Sequence, residues 1–574
     1  MLKLFRNLKP YTTPIAIVLI LVLMQSLAEL YLPTLMSDIV DKGIVHNDNP
    51  YIWRIGGFML LIAFVSMICA VVSNYLSAKV GVGFGRDLRN KVFAHVENYS
   101  LREFDKIGTA SLITRTTNDI TQIQNITIMI MRMMISAPMM CIGGIIMALN
   151  KDTTLSWVIV VVIPILALAI YAIAGSAMPY FKAMQKKIDK INLVVREELT
   201  GIRVIRAFNR TEHEKKRFTE ANADLTDTAI KVNKIMAFMM PIMMIVMNLT
   251  TIAIIWFGGI RIDEGNMQVG SLMAFLQYVM QIMFSLIMVS MMFVMLPRAS
   301  ASAVRINEVL DTVSDINDPA TNAPEHKHGY VEFDNVTFSF PGAEQPAVRG
   351  ITFSAGPGET TAIIGGTGSG KSTIINLIPR FYDVQSGSVR VNGVDVREIS
   401  QEFLRSKVGY VPQKAVLFTG TISENIRYGK EDATDEEVRH AAEVAQATDF
   451  IGEMKEGYDS VISQGGTNVS GGQKQRLSIA RALVRKPEIY IFDDSFSALD
   501  FKTDAKLRQA LKGETADATV LIVAQRVSTV MDADRIIVLD EGEVAGIGTH
   551  KELMSTCEVY REIVSSQLSE EEIA

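Results

Sequence analysis

The sequence predicts a multidomain chain, with an all-α domain of six transmembrane helices followed by an α/β domain. Three observations predict this fold class. The 574 residues are 49% hydrophobic and only 21% charged, with a mean hydropathy of +0.23. In the first half, apolar residues form runs of about 20, the length that a helix needs to cross a membrane. From Tyr330 onward, short apolar or β-branched runs alternate with helical stretches, which is typical of an α/β fold.

Six apolar runs are predicted to span the membrane. We place them at residues 14–37, 55–78, 126–149, 155–177, 236–260 and 269–296. The first run is too long for a cleavable signal peptide, and no small-residue cleavage site precedes a soluble domain. We therefore expect it to be the first span.

The positions of the cations predict the orientation. Two long connections, residues 79–125 and 178–235, are rich in Lys and Arg, whereas the other connections are short and hold few cations. The positive-inside rule places both connections and both termini in the cytoplasm, for a multi-pass protein of the cytoplasmic membrane. Because both connections have few Gly or Pro, we expect paired helices that continue beyond the membrane. A separate soluble insert is the alternative.

A linker is predicted between the two domains. Turn signals occur in Asn-Asp-Pro at 317–319 and in Asn-Ala-Pro at 322–324. We predict a transmembrane domain over residues 1–300, a linker over 301–328 and the α/β domain over 329–574.

Composition excludes other classes of protein. The high apolar content excludes a disordered or collagen-like chain. The net charge of −6 argues against nucleic acid as a partner, because phosphate contacts need clustered Lys and Arg. The three cysteines, Cys69, Cys141 and Cys557, match no metal-binding spacing and give no disulfide framework. This cysteine usage is typical of a reducing compartment on the soluble side.

A glycine-rich stretch of the α/β domain matches the pattern G-x-x-x-x-G-K-[ST]. A predicted strand at 361–364 precedes it, and a predicted helix at 373–377 follows it. Glycines let backbone N–H groups surround a phosphate, and the helix N-terminus adds a positive dipole end. We expect Lys371 to reach the β- and γ-phosphates of a nucleotide, and the Ser372 hydroxyl to hold Mg²⁺. This phosphate loop and the residue after it are Gly365, Gly366, Thr367, Gly368, Ser369, Gly370, Lys371, Ser372 and Thr373.

A second predicted strand, at 489–492, ends in Asp493 and Asp494. An acid after a buried apolar run places a carboxylate at the carboxyl edge of the sheet, beside the phosphate loop. Asp493 is therefore the second candidate for holding Mg²⁺.

A second glycine pair opens another predicted helix. It lies in the stretch Ser470, Gly471, Gly472 and Gln473. A single nucleotide does not need two such anion sites in one domain. We therefore expect this stretch, the signature, to contact a nucleotide held by a second copy of the domain.

With these motifs, the chain resembles the ATP-binding-cassette (ABC) exporters in their half-transporter layout, along essentially its whole length. The signature is specific to that superfamily. The resemblance implies a P-loop nucleotide-binding domain, ATP and Mg²⁺ as cofactors, an ATPase coupled to export, and a second half-transporter as partner. It also implies that Gln413 contacts Mg²⁺, that Asp500 belongs to the D-loop, and that Phe340 stacks on adenine where the family usually has tyrosine. Coupling helices near 104–119 and 198–208 would dock on nucleotide-binding domains.

Two residues depart from the family pattern. The residue after the magnesium aspartate is normally a glutamate that polarises the attacking water, but here it is Asp494. A catalytic group misplaced by about 1 Å can cost on the order of 10²-fold in rate. The switch histidine is replaced by Gln525, which can bind phosphate but cannot titrate near neutral pH. Because the other motifs are intact, these catalytic positions predict a site that binds ATP but hydrolyses it poorly.

The intact signature then predicts a heterodimer whose other chain supplies the competent site. The chain resembles the degenerate-site subunit of heterodimeric bacterial multidrug exporters. The alternatives are a homodimer with slow but adequate hydrolysis that exports lipids or peptides, and a mainly regulatory ATP-binding subunit.

The spans indicate small amphipathic substrates beside membrane lipids. The chain has 31 methionines, whose flexible side chains suit varied apolar ligands, although ordinary packing explains them equally well. Polar residues within the spans are Gln25, Glu29, Asn248, Gln277 and Gln281. The carboxylate of Glu29 is a candidate for binding cationic drugs, and the alternative is an interhelical hydrogen bond or an interfacial position.

Overall fold

The computed structural model describes residues 1–568, apart from the side chains of Leu2, Ser290, Met291, Phe293 and Val294. The chain forms two compact units. A helical unit comprises Met1–Glu97 and Gly108–Thr312, and an α/β unit comprises Asn98–Ile107 and Val313–Ala574. The predicted fold class, a six-helix transmembrane part followed by an α/β part, is confirmed.

Long apolar helices make up the helical unit. Within residues 1–568, six helical segments are long and apolar enough to cross a membrane. Their spans are Lys3–Ile44, Asn49–Glu97, Thr109–Lys151, Trp157–Ala207, Thr211–Asp263 and Val269–Val289. The individual helices up to residue 312 are α1 (Leu2–Phe5), α2 (Thr12–Asp38), α3 (Asn49–Glu97), α4 (Leu101–Ile107), α5 (Thr109–Thr114), α6 (Ile120–Lys151), α7 (Trp157–Ala207), α8 (Thr211–Ala237), α9 (Met239–Asp263) and α10 (Val269–Asp311).

Two of these helices are much longer than a membrane is thick. Helices α3 and α7 have 49 and 51 residues. Each is therefore about 75 Å long, against about 30 Å for the hydrocarbon core of a bilayer. Helix α7 packs against α8 beyond its apolar part. These continuous helices agree with the predicted paired extensions rather than with a separate insert.

A buried carboxylate ties the beginning of α6 to α10. Asp119 ends a π-helical turn over Arg115–Asp119 and is fully buried. It accepts hydrogen bonds from Ser302 Oγ at 2.9 Å and from Arg305 Nε at 2.7 Å, and Arg305 Nη2 also bonds to it. A buried charge needs such partners, so this cluster fixes how the two helices pack.

The α/β unit is built on a six-stranded sheet in the order β12-β11-β3-β10-β9-β6. Five of its strands, β11, β3, β10, β9 and β6, run parallel to one another. The edge strand β12 is antiparallel to β11. A second, antiparallel sheet has the order β2-β1-β4-β5, and β7 pairs with β8. The strands are β1 (Val331–Phe338), β2 (Val348–Ala355), β3 (Thr360–Gly365), β4 (Ser386–Val391), β5 (Val394–Asp395), β6 (Val408–Val411), β7 (Gly420–Thr421), β8 (Val461–Ile462), β9 (Ile489–Asp493), β10 (Thr519–Val523), β11 (Arg535–Asp540) and β12 (Glu543–Gly548).

Helices cover the parallel sheet. Every residue of β9 and β10 is buried, because central strands of a parallel sheet are covered on both faces. The sequence shows this as uninterrupted apolar runs. The helices are α11 (Lys371–Leu377), α12 (Gln401–Ser406), α13 (Ile422–Arg427), α14 (Asp435–Val444), α15 (Thr448–Glu453), α16 (Gly471–Leu483), α17 (Phe501–Glu514), α18 (Val527–Val530), α19 (His550–Thr556) and α20 (Glu558–Gln567).

Replacing Asp119 by Ala should destabilise the helical unit. The change leaves the Arg305 guanidinium without its buried partner, so we expect a loss of about 2–4 kcal/mol. Thermal unfolding of the full chain in detergent measures this. Asp311→Ala is the matched control, because Asp311 pairs with Lys3 at an exposed position and its loss should cost less than about 1 kcal/mol. Equal effects of the two changes would contradict the role of Asp119.

Candidate nucleotide-binding site

The phosphate loop leads from the end of β3 into α11, as the sequence predicts. Gly370 caps α11 with a left-handed backbone at φ +92°. A Cβ there would lie 2.7 Å from the Ala347 carbonyl oxygen. At Gly365, a Cβ would lie 2.3 Å from the Leu539 carbonyl oxygen. Neither distance is a normal contact, so these positions admit only glycine.

Two polar side chains of the phosphate loop, those of Lys371 and Ser369, could donate hydrogen bonds to an anion. Lys371 Nζ donates to the carbonyl oxygens of Gly365 at 2.9 Å and of Gly366 at 2.6 Å. Burial lowers the pKa of Lys371, although Asp494 and Asp493 oppose this shift. Ser369 Oγ is buried without a hydrogen-bond partner in the described part of the chain. A phosphate would supply acceptors to both side chains, so the loop fits the phosphates of a nucleotide.

The residues proposed for Mg²⁺ lie together. Ser372 Oγ donates to Asp493 Oδ1 at 3.0 Å, at the carboxyl end of β9. Burial raises the pKa of Asp493, and the nearby Asp494 raises it further, while Ser372 and Lys371 oppose the shift. One hydroxyl and one carboxylate fit Mg²⁺, which usually takes its other ligands from nucleotide phosphates and water. Within residues 1–568, no cluster of three or more His, Cys, Asp or Glu could hold a metal alone.

Asp494 is held between two amides. It is buried, with a left-handed backbone at φ +45°. Its Oδ2 accepts a hydrogen bond from Gln413 Nε2 at 3.2 Å and another from Gln525 Nε2 at 3.0 Å. The structure thus brings together three of the residues that the sequence singles out. We call this group the Asp494 clamp.

The clamp is supported by a residue that the sequence does not reveal. Gln567, at the end of α20, donates through Nε2 to the Gln525 carbonyl oxygen at 2.8 Å. Its Oε1 accepts from the Val527 N–H at 2.9 Å. Both contacts fix the segment that carries Gln525. No sequence signal links residues 42 positions apart in this way.

An aromatic cluster accompanies the loop. Phe340 follows β1 and is 40% exposed. Its ring lies edge to face with Phe338, at a centroid distance of 5.1 Å, and with Tyr382, at 5.6 Å. The buried Phe338 and the partly buried Tyr382 orient an accessible π-face, which is what stacking on a base needs. Tyr382 has no recognisable motif in the sequence.

The signature forms the beginning of α16. Ser470 and Gln473 form a capping box, in which Gln473 Oε1 accepts from the Ser470 N–H at 2.8 Å and Ser470 Oγ accepts from the Gln473 N–H at 3.3 Å. Gly471 is exposed, and a Cβ there would meet no atom within 4 Å. In the described chain, no hydrogen bond joins the signature to the phosphate loop. Asp500, from the predicted D-loop, caps α17 by accepting from the Thr503 N–H at 3.0 Å.

Both parts of the chain match known families. Residues 15–286 match the ABC transporter transmembrane region, and residues 348–497 match the ABC transporter family of ATP-binding domains. An uncharacterized ABC transporter ATP-binding protein of Mycobacterium tuberculosis is 44% identical over 98% of this chain and 97% of its own length. An ATP-dependent lipid A-core flippase of Desulfotalea psychrophila is 31% identical over 98% of this chain and 99% of its own. A solved bacterial Atm1-family ABC exporter with ATP bound superposes with a TM-score of 0.81 at 26% identity, covering 97% of this chain and 98% of that one.

Replacing Gly370 by Ala should weaken ATP binding by at least about tenfold, because the left-handed backbone and the Ala347 carbonyl leave no room for a Cβ. Binding of a fluorescent ATP analogue to the full chain in detergent measures the loss. The matched control is Gly513→Ala in α17, where a Cβ meets no atom within 4 Å. If both variants bind like the natural chain, the phosphate loop is not the nucleotide site.

Proposed function

The chain belongs to the ABC transporters, and from this premise we propose that it is one half of a heterodimeric exporter of hydrophobic or amphipathic compounds. Membership of the family implies an ATPase coupled to transport in a dimer, within the lipids of a membrane. We take the transmembrane domain to cover residues 1–300, the linker 301–328 and the nucleotide-binding domain 329–574. The cation-rich connections support cytoplasmic termini and the cytoplasmic membrane.

The nucleotide chemistry rests on the chain's own residues. Bound Mg²⁺ would neutralise charge on the phosphates, with Ser372, Asp493 and Gln413 as its proposed protein contacts. Lys371 Nζ would give up its hydrogen bonds to the Gly365 and Gly366 carbonyl oxygens and donate to the β- and γ-phosphates instead. Phe340 would support the base.

The Asp494 clamp is the observation that carries the proposal of a poorly hydrolysing site. A residue that polarises water must accept a hydrogen bond from that water. In Asp494, two amides already donate to Oδ2, and the side chain is one methylene shorter than the usual glutamate. Gln525 donates to this carboxylate instead of being free for a phosphate. ATP would be retained here rather than cleaved.

A second chain would complete the assembly. The signature residues Ser470 and Gln473 cap the N-terminus of α16, and a Cβ at Gly471 would meet no atom of this chain within 4 Å. Large apolar side chains are exposed near the C-terminal end of α7, where Leu199 is 70% exposed and Phe208, the residue after the helix, is 74% exposed. Such residues are costly in water, and a second half-transporter would cover them. A partner with glutamate and histidine at the two departing positions would supply the competent site.

Lipid export is the second candidate. It is favoured by the 31% identity to a lipid A-core flippase along nearly the whole of both chains. On that alternative the chain would act as a homodimer. A regulatory ATP-binding subunit is the third, and it predicts that restoring hydrolysis leaves transport unchanged.

Changing Asp494 to Glu together with Gln525 to His should raise ATP hydrolysis of the chain about tenfold to hundredfold, because the water-polarising carboxylate regains its reach. Phosphate release by the full chain in lipid nanodiscs measures this. Adding Lys371→Ala should remove the gain. A natural chain that already hydrolyses ATP as fast as the double variant would contradict the degenerate site.

Extraction of the tagged chain from its native membrane should yield a different ABC half-transporter in equal amount. Sequencing that partner should show glutamate and histidine where this chain has Asp494 and Gln525. A tagged chain that isolates only further copies of itself, with brisk ATP hydrolysis, would instead establish the homodimer.

A further inference from the structure

A carboxylate lies deep in the membrane-spanning part of α2. Glu29 precedes Asp38, the last residue of α2, by nine positions. Glu29 also lies eight residues before the end of the predicted first span, 14–37, so at 1.5 Å per residue it lies about 12 Å inside a hydrocarbon layer about 30 Å thick. A charged group at that depth is costly unless it has a partner.

Glu29 has no cation partner. Its Oε1 accepts a hydrogen bond from Gln25 Nε2 at 2.9 Å, one turn earlier on α2. No Lys, Arg or His within residues 1–568 forms an ion pair with it, and its Oε2 accepts no hydrogen bond there. The side chain is only partly buried, so Oε2 remains open to a ligand.

Gln281 of α10 adds a second acceptor beside Glu29. Its Nε2 donates to the Glu29 backbone carbonyl oxygen at 3.2 Å, which holds the two helices together. Its Oε1 is buried without a donor in the described part of the chain. A buried acceptor without a donor costs about 1–3 kcal/mol, so a ligand N–H that reaches it would recover that loss.

The same face of α10 combines polar and apolar groups. Gln277, Gln281, Phe284 and Met288 recur at helical spacing, and Gln277, Phe284 and Met288 are exposed. Two glutamines and the neighbouring carboxylate are unsuited to lipid, so this face borders a cavity or a partner chain. Phe284 and Met288 offer an apolar surface next to the acceptors.

We propose that Glu29 and Gln281 form a binding site for the protonated amine of an amphipathic compound, whose apolar body packs on Phe284 and Met288. The inference rests on the proposed export function and names its substrate class. Glu29 Oε2 and Gln281 Oε1 are both acceptors without a donor in the described part of the chain, and Glu29 adds one formal negative charge. A protonated amine supplies both the positive charge and the N–H groups that these acceptors lack. The phosphate of a lipid would be repelled by Glu29, so the site favours amines over anionic lipids.

The test compares three probes that share one fluorescent body. They are dansylcadaverine, its trimethylammonium analogue and its alcohol analogue, each titrated against the full chain in phosphatidylcholine nanodiscs without nucleotide. The amine should bind at least about tenfold more tightly than either analogue, because only it has both charge and N–H donors. Equal binding of the three probes by the natural chain overturns the proposal without any variant.

Substitutions show which residues cause the preference for the amine probe. Glu29→Gln should abolish the preference for the amine, and Gln281→Leu should reduce it. The control is Thr34→Val, which removes another polar contact between α2 and α10, that of Thr34 Oγ1 with Tyr278 Oη at 2.5 Å. This control should retain the preference. An amine preference that survives Glu29→Gln overturns the proposal.

ATP-driven uptake of the same probes is measured in inverted vesicles of the native membrane, which hold the chain together with its proposed partner. This experiment tests the binding site and the export function separately. Amine binding that depends on Glu29, without any transport, would support the site and contradict the export function. Transport of all three probes alike would support export and overturn the site.

Discussion

Four neighbouring parallel strands, β3, β10, β9 and β6, end at the same edge of the six-stranded sheet. The phosphate loop begins as β3 ends, Asp493 ends β9, and Gln525 and Gln413 lie two residues beyond β10 and β6. Because parallel strands share a direction, four distant parts of the sequence meet beside the phosphate loop. Every polar contact of the nucleotide site described above depends on this alignment.

The alignment also concentrates charge. Lys371 is close to Asp493 and Asp494, and the burial of all three makes each charge depend on the others. Their present hydrogen bonds are internal to the chain: the lysine to its own loop, the two carboxylates to Ser372 and to two amides. Nucleotide binding therefore exchanges one set of hydrogen bonds for another.

Strands and helices could be predicted from the sequence where the local pattern of apolar residues determines them. The strand predicted at 361–364 occurs as β3, and that predicted at 489–492 occurs as β9, because continuous apolar runs need burial on both faces. The helix predicted from 373 begins at Lys371, because the left-handed Gly370 ends the loop earlier than the apolar pattern indicates. The contacts of Gln567 and Tyr382 could not be predicted, since they depend on tertiary packing. The side-chain roles at the nucleotide site stay predictions.

The hydrogen bond from Gln567 to the Gln525 carbonyl oxygen links α20, the last helix in the described part of the chain, to the segment that carries Gln525. Because Gln525 in turn donates to Asp494, a displacement of α20 would disturb the Asp494 clamp. The position of α20 therefore affects the position of Gln525. A regulatory protein that bound α20, or a truncation that removed Gln567, would change how Gln525 is held against Asp494.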